Sequence, residues 1–246
     1  MKNKAFDISN EYIVRSSGTS DGTQDKYFFE NRYFKIDRYG GEGIAESIAS
    51  LLLEKSGLDK KQFVKYIPCA INGKNGCYSE NFLSEKEDFI TFYRLYKNTT
   101  GRDLAEVCAK MDYDDAIEFV LGFIKSQTGL DVREYLANIC ELDSVILNED
   151  RHFNNLGLIF DGNNFRTAPI FDNGKSFLIG NKDAEQVSEL SEKIKCAYAK
   201  SFSPSYEMNK RYLQAYRTLH ISKSTLDELD SIENKAFLDI LRLTVK

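Results

Sequence analysis

The stretch from Asn148 to Gly174, NEDRHFNNLGLIFDGNNFRTAPIFDNG, constrains this chain more than any other. Polar side chains that can hold a cation or move a proton (Asp150, Arg151, His152, Asn155, then Asp172 and Asn173) bracket two apolar runs, Leu156 to Phe160 and Phe165 to Phe171. Asp161-Gly162-Asn163-Asn164 between the runs is a strong turn signal, so the pair reads as a β-hairpin. A hairpin folds the chain back and carries Asp172 toward Asn155. A carboxamide and a carboxylate so joined suit magnesium, which prefers oxygen ligands and shares them with substrate phosphates. The blander alternative is a pair of Asp/Asn-rich turns that only cap and end elements. Against it, so many polar groups between buried runs cost stability unless they have a function.

The chain has 246 residues, room for one large domain or two small lobes with a real core. Its net charge of −5 argues against nucleic acid as a direct partner. The five cysteines are widely spaced without a CxxC pair, which suggests reduced thiols rather than disulfides or zinc. The N-terminus lacks the apolar core of a signal peptide, and no apolar run approaches the roughly 20 residues that span a bilayer. A cytoplasmic protein is expected, with delivery to another cell left open.

Taken in order, Tyr12 to Val14 reads as a strand, followed by the Gly-containing loop RSSGTSDGTQDK. KYFFE and RYFKID then read as a hairpin about Glu30-Asn31. Such a loop can bring backbone N–H groups to phosphates, although it is neither G-x-G-x-x-G nor a Walker sequence. Lys35 sits inside the RYFKID strand. Strand lysines are usually solvated, but kinases set one on the nucleotide phosphates and hold it with a helix glutamate. The next element supplies that partner. Glu42 to Lys55 has a wide apolar arc at helical spacing, ended by Gly57. Glu46 falls at the rim of the arc and is the preferred partner, with Glu42 and Glu54 as alternatives. Gln62 to Ile71 and Cys77 to Phe82 read as strands about INGKNG, and Ser79 to Leu83 leads onward.

From Glu85 the texture is helical. Phe89, Phe92, Tyr93 and Tyr96 form one stripe; Ile117, Val120, Leu121 and Ile124 another; Val132, Tyr135, Leu136, Ile139, Leu142 and Ile146 a third. The third runs into the central stretch, so Asp150 lies on a loop leaving a buried helix. The tail is expected to carry an amphipathic helix near Ala184 to Ile194, a loop at Ser201 to Ser205 and two further helices. It reads as packing, without chemistry.

In protein kinases a base Asp precedes a metal-binding Asn by five residues, and the D-F-G Asp follows. Asp150 and Asn155 keep that interval, with Arg151 and His152 after the aspartate instead of before it. NEDRHFNNLGLI followed by TAPIFDNG resembles the corresponding segments of the HipA-like serine/threonine kinases, the toxin kinases of bacterial toxin–antitoxin pairs, and more distantly the phosphatidylinositol 3/4-kinases. Ser17-Gly18 with Gly22-Thr23-Gln24-Asp25-Lys26 is similar to their S-G-x-Q-x-K phosphate loop, Phe34-Lys35-Ile36 to their ATP-lysine strand, and Glu80-Asn81-Phe82 to their adenine hinge. The resemblance covers roughly residues 12 to 180.

It implies an α+β, bilobal protein-kinase-like fold, with a small strand-rich N-lobe (1–82) and a mainly helical C-lobe (83–246). It further implies ATP and Mg²⁺, Asp150 as catalytic base, and Asn155 and Asp172 as metal ligands. Gly22, Lys26, Lys35 and His152 would contact phosphates, Glu46 would hold Lys35, and Glu80 and Phe82 would meet adenine through the backbone. Ser16, Ser17 and Ser20 become candidates for autophosphorylation, since a phosphate there would repel ATP. Arg151 is open between phosphate contact, loop orientation and structure. The expected reaction is phosphorylation of a protein Ser/Thr hydroxyl, and an antitoxin-type partner is conceivable. The alternatives are a lipid or small-molecule kinase and a nucleotide-binding pseudokinase scaffold.

Overall fold

The computed structural model describes residues 4–14, 25–227, 229 and 234–245. The Gly-containing loop, with Gly22 and Ser16, Ser17 and Ser20, lies outside the described residues. Its flanks do not. The chain enters by strand β1 (Lys4–Phe6), and β2 (Lys26–Phe29) pairs antiparallel with β3 (Arg32–Ile36). Glu30 and Asn31 turn that hairpin with φ of 49° and 59°, the left-handed pair that matches strand twist in a two-residue turn.

Helix α1 (Glu42–Lys55) has the predicted bounds, and Gly57 follows at φ 81°. After it, β4 (Ile67–Ile71) and β5 (Lys74–Glu80) complete a five-stranded sheet in the order β1-β4-β5-β3-β2. β1 runs parallel to β4; the other neighbours are antiparallel. One face of this sheet holds a small cluster of Tyr27, Phe34, Ile36, Cys69, Ile71 and Tyr78.

Against the sheet α1 lies unusually close. A Cβ added at Gly43 would stand 2.5 Å from the Gly76 carbonyl, and one at Gly76 would stand 2.1 Å from the Lys35 carbonyl oxygen. Both obstacles are backbone, which cannot escape by a rotamer change. Gly43→Ala is therefore expected to destabilise by about 1–3 kcal/mol, as overpacked cores do. A thermal melt checks this, and an unchanged midpoint would mean that helix and sheet separate freely.

The remainder is mainly helical. Strand β6 (Asp88–Thr91) leads into α2 (Phe92–Thr100), and α3 (Leu104–Cys108), α4 (Tyr113–Thr128) and α5 (Arg133–Ile146) follow. β7 (Gly157–Phe160) and β8 (Phe165–Thr167) form the predicted hairpin and join β6 in a three-stranded sheet. Short helices α6 (Lys182–Glu185) and α7 (Leu190–Lys195), then α8 (Tyr206–Leu213), α9 (Lys223–Asp227) and α10 (Lys235–Thr244), make up the tail. Ile48, Leu52 and Leu53 of α1 share one buried cluster with Ile117 and Ile124 of α4, Leu136 and Leu142 of α5, and Leu241 of α10. Among the described residues no helix is long and apolar enough to cross a membrane.

Several local expectations need correction: among the described residues three α-helices, not two, follow the loop at Ser201 to Ser205, and the strand expected from Cys77 to Phe82 spans Lys74–Glu80. Residues 10–12 form a 3-10 turn and only Ile13 bridges to Tyr27, so Tyr12 to Val14 is not a strand. Residues 62–66 stay outside the five-stranded sheet because their backbone pairs elsewhere: Phe63 bridges in parallel to Ile170, with the Val64 N–H on the Ile170 carbonyl (2.9 Å) and the Ile170 N–H on the Gln62 carbonyl (2.7 Å), and the Tyr66 N–H donates to the Ser50 hydroxyl of α1 (3.0 Å). Phe89 belongs to β6, where pairing with Ile159 overrides its helical spacing from Phe92. Residues 184–194 form two short helices, not one; Val187 and Ser188, poor helix formers, lie at the break.

Candidate active site

Strand alternation buries Phe34 and Ile36 in the outer cluster and turns Lys35 to the opposite face, toward α1. Lys35 is only 7% exposed. Its Nζ donates to Glu46 Oε1 at 2.6 Å and to Asp172 Oδ1 at 2.7 Å, across separations of 11 and 137 residues. Tyr66 covers it from another side, with the hydroxyl at 3.4 Å and the ring centroid at 4.8 Å. The second Glu46 oxygen accepts the Asn173 N–H at 2.8 Å, so one glutamate ties the lysine strand to the loop after β8. The alternatives fall away. Glu42 accepts the Arg38 and Tyr39 N–H groups, while Glu54 faces outward to Lys65.

The electrostatics follow from this packing. Burial works against the Lys35 ammonium, but Asp172 and Glu46 outweigh it and hold its pKa well above the ordinary lysine value. Burial likewise opposes the Asp172 carboxylate, but Lys35, then Lys26, keep it ionised far below the usual range. Lys26 stands opposite Lys35 in the strand register. Asp172 is in left-handed backbone, φ 60°, which aspartate tolerates. Burial, with the nearby Glu46 charge, pushes the Tyr66 hydroxyl far up, so it stays neutral.

A second ion pair sets the loop between α5 and β7. Arg151 is fully enclosed and bonds Asp143 of α5 through Nε and Nη2 at 3.1 and 3.0 Å. Its remaining donors reach the Phe171 carbonyl (2.5 Å), the Asn173 carboxamide oxygen (2.6 Å) and the Asn155 carbonyl (3.5 Å). The guanidinium thus clamps residues 150–155 to residues 171–173. Its donors are spent on protein, which decides the open question in favour of loop orientation. Arg151→Leu strands a buried carboxylate and is expected to cost about 3–5 kcal/mol. A urea melt checks this; a loss within about 1 kcal/mol would mean that the clamp is dispensable.

Around that clamp, the Asp150 N–H bonds the Asn148 side chain (2.9 Å) and the Asp150 carbonyl accepts from Asn155 Nδ2 (2.8 Å). Committing Nδ2 leaves the Asn155 carboxamide oxygen for other use. The Asp150 carboxylate is 40% exposed, with one oxygen 2.5 Å from Lys200 Nζ and the other 3.8 Å from His152 Nε2. Lys200 was not expected here, since the tail was read as packing alone.

Lys35, Glu46, Asp172, Asn155 and Asp150 are therefore joined through Asn173 and Arg151 in one network. Lys26 and His152 lie beside it. Glu80 ends β5 with its side chain turned outward onto Arg32 (2.8 Å). Phe82 meets Phe89 and Phe171 at 5.8 and 6.2 Å between ring centroids, beside the cluster of Val64, Tyr66 and Cys77. Together these form an apolar wall next to Lys35. Asp143, Tyr66 and Lys200 are the site residues that sequence reasoning missed. The α5 stripe held a signal for Asp143, four residues after Ile139 and so on the same helix face.

No family model matches this sequence, and no curated protein matches it. Solved structures do resemble it. The Helicobacter pylori proinflammatory kinase CtkA superposes with a TM-score of 0.60 at 14% identity, over 91% of this chain and 89% of that one. HipA, solved with HipB and operator DNA from the Shewanella oneidensis MR-1 toxin–antitoxin system, gives 0.50 at 11% identity, over 95% of this chain and 56% of that one. The present chain thus spans little more than half the HipA length. A strand-rich N-terminal sheet, a helical C-terminal part and these two superpositions together show that the chain has the HipA-like kinase fold.

Proposed function

We propose that this chain is a kinase that transfers the γ-phosphoryl group of ATP, with magnesium, to a protein serine or threonine hydroxyl. It would work between a small lobe of residues 1–82 and a larger one of residues 83–246. The observation that carries the reading is the Lys35 ammonium bonded at once to Glu46 and Asp172. A buried lysine with two carboxylates is a poor way to gain stability, because desolvation offsets most of the attraction. It is a good way to place a fixed positive charge beside an acidic metal ligand.

In this reading Lys35 and Lys26 receive the phosphates, with the loop around Gly22, and Glu46 keeps Lys35 from turning to solvent. His152 takes a phosphate oxygen. The backbone at Glu80 and Phe82 meets the adenine, against the apolar wall of Phe82, Val64 and Tyr66. Asn155 and Asp172 fit magnesium: both offer oxygen, Asp172 stays ionised, and the Asn155 amide nitrogen is turned away onto a carbonyl. Among the described residues no group of three or more His, Cys, Asp or Glu could hold a metal by itself, so phosphate and water would complete the shell. Bound there, magnesium would neutralise phosphate charge. Asp150 orients the acceptor hydroxyl and takes its proton.

HipA was solved with HipB, and an antitoxin-type protein is the corresponding partner proposed here. The test is incubation with γ-labelled ATP and casein, with and without magnesium, followed by phosphoamino-acid analysis. Label on serine or threonine that disappears with a chelator is expected. Label only on added phosphoinositides or aminoglycosides would move the substrate class. No ADP formation with any acceptor would sink the kinase reading.

A further inference from the structure

Resting on the kinase reading, we propose that Lys200, fifty residues beyond the loop it touches, is a further phosphoryl-binding cation that works with Asp150 during transfer. Residues 199–204 close on themselves around the lysine and are fastened to the Asp150 loop just after it. The Ser201 hydroxyl bonds the Arg151 carbonyl, Phe202 packs edge-on against Phe153 at 5.5 Å, and the Ala199 N–H bonds the Pro204 carbonyl at 2.8 Å. Ser201 holds φ 80°, a left-handed conformation that is unfavourable for a residue other than glycine. The chain thus adopts strained backbone next to Lys200 in order to set its position.

Fold stability does not explain that arrangement. The two side chains of the Lys200–Asp150 pair are 38% and 40% exposed, and ion pairs that open to water contribute little. Reaction chemistry does. In the step proposed, the acceptor oxygen bonds the γ-phosphorus while its proton passes to Asp150. The bond from that phosphorus to the bridging oxygen breaks, and ADP leaves with the electron pair. Asp150 is neutral once protonated, and its hold on Lys200 weakens. The phosphoryl oxygens carry charge throughout. The ammonium, tethered by its backbone and half in solvent, then pairs with them, whereas the Arg151 donors remain spent on Asp143, Phe171 and Asn173.

The experiment compares wild type, Lys200→Met and Lys200→Arg in ATP, magnesium and casein, reading ADP release and label transfer. Lys200→Met is expected to lower kcat by about 10²–10³-fold, the loss of one charge-stabilising group. KM for ATP and the melting midpoint should stay near wild type, and Lys200→Arg should recover most of kcat. An active wild type with an equally active Lys200→Met variant overturns this inference and leaves the kinase reading standing. A faster Lys200→Met variant also overturns it, making the lysine a plug on Asp150. A larger KM with unchanged kcat would do so as well, by assigning Lys200 to ground-state binding. An inactive wild type removes both proposals.

Discussion

Lys35→Met is expected to lower kcat/KM for transfer by about 10²–10³-fold and to destabilise the chain by about 3–5 kcal/mol. The two losses have different origins. Activity falls because the phosphates lose the charge that Glu46 and Asp172 hold in place. Stability falls because Glu46, 1% exposed, is left facing Asp172 without a counter-ion. The double variant Lys35→Met/Glu46→Gln separates them. Removing the stranded charge is expected to restore much of the stability and none of the activity. Urea melts beside ADP release make the comparison. A single variant that still turns over within about threefold of wild type would place the phosphates elsewhere.

Asp150→Ala is expected to lose transfer without losing stability. Transfer drops by about 10²–10⁴-fold, the range for loss of a general base. The fold and nucleotide binding persist, because this carboxylate is half open to water and its ion pair with Lys200 contributes about 0–1 kcal/mol. Titration with a fluorescent ATP analogue, beside the labelled transfer assay, tests both halves. Undiminished transfer would strip Asp150 of the base role. Loss of nucleotide binding would make it a ligand contact instead.

How legible this was in the sequence varies by residue. Helix α1 was readable to its ends because its apolar arc and Gly57 are local signals. Lys35 and Glu46 were readable because strand and helix periodicity fix which way each points. The choice of Glu46 over Glu42 and Glu54 came from its place at the rim of the arc, and Lys35 bonds it directly. The 62–66 segment does not extend β4 because its partners are Ile170, distant in the chain, and the hydroxyl of Ser50, neither of which a local pattern shows. Arg151 was visible but its role was open, since only three dimensions show Asp143, Phe171 and Asn173 around it. Lys200 carried no signal, because it lies in an aperiodic loop and its partner is distant in the chain.

The closeness of Gly43 to Gly76 bears on how such a protein diverges. Main chain resting on main chain sets a spacing that owes nothing to the size of surrounding side chains. Apolar neighbours can then be exchanged over generations while the gap between lysine and glutamate hardly drifts. A contact of that kind offers one physical route by which an architecture survives at 14% identity.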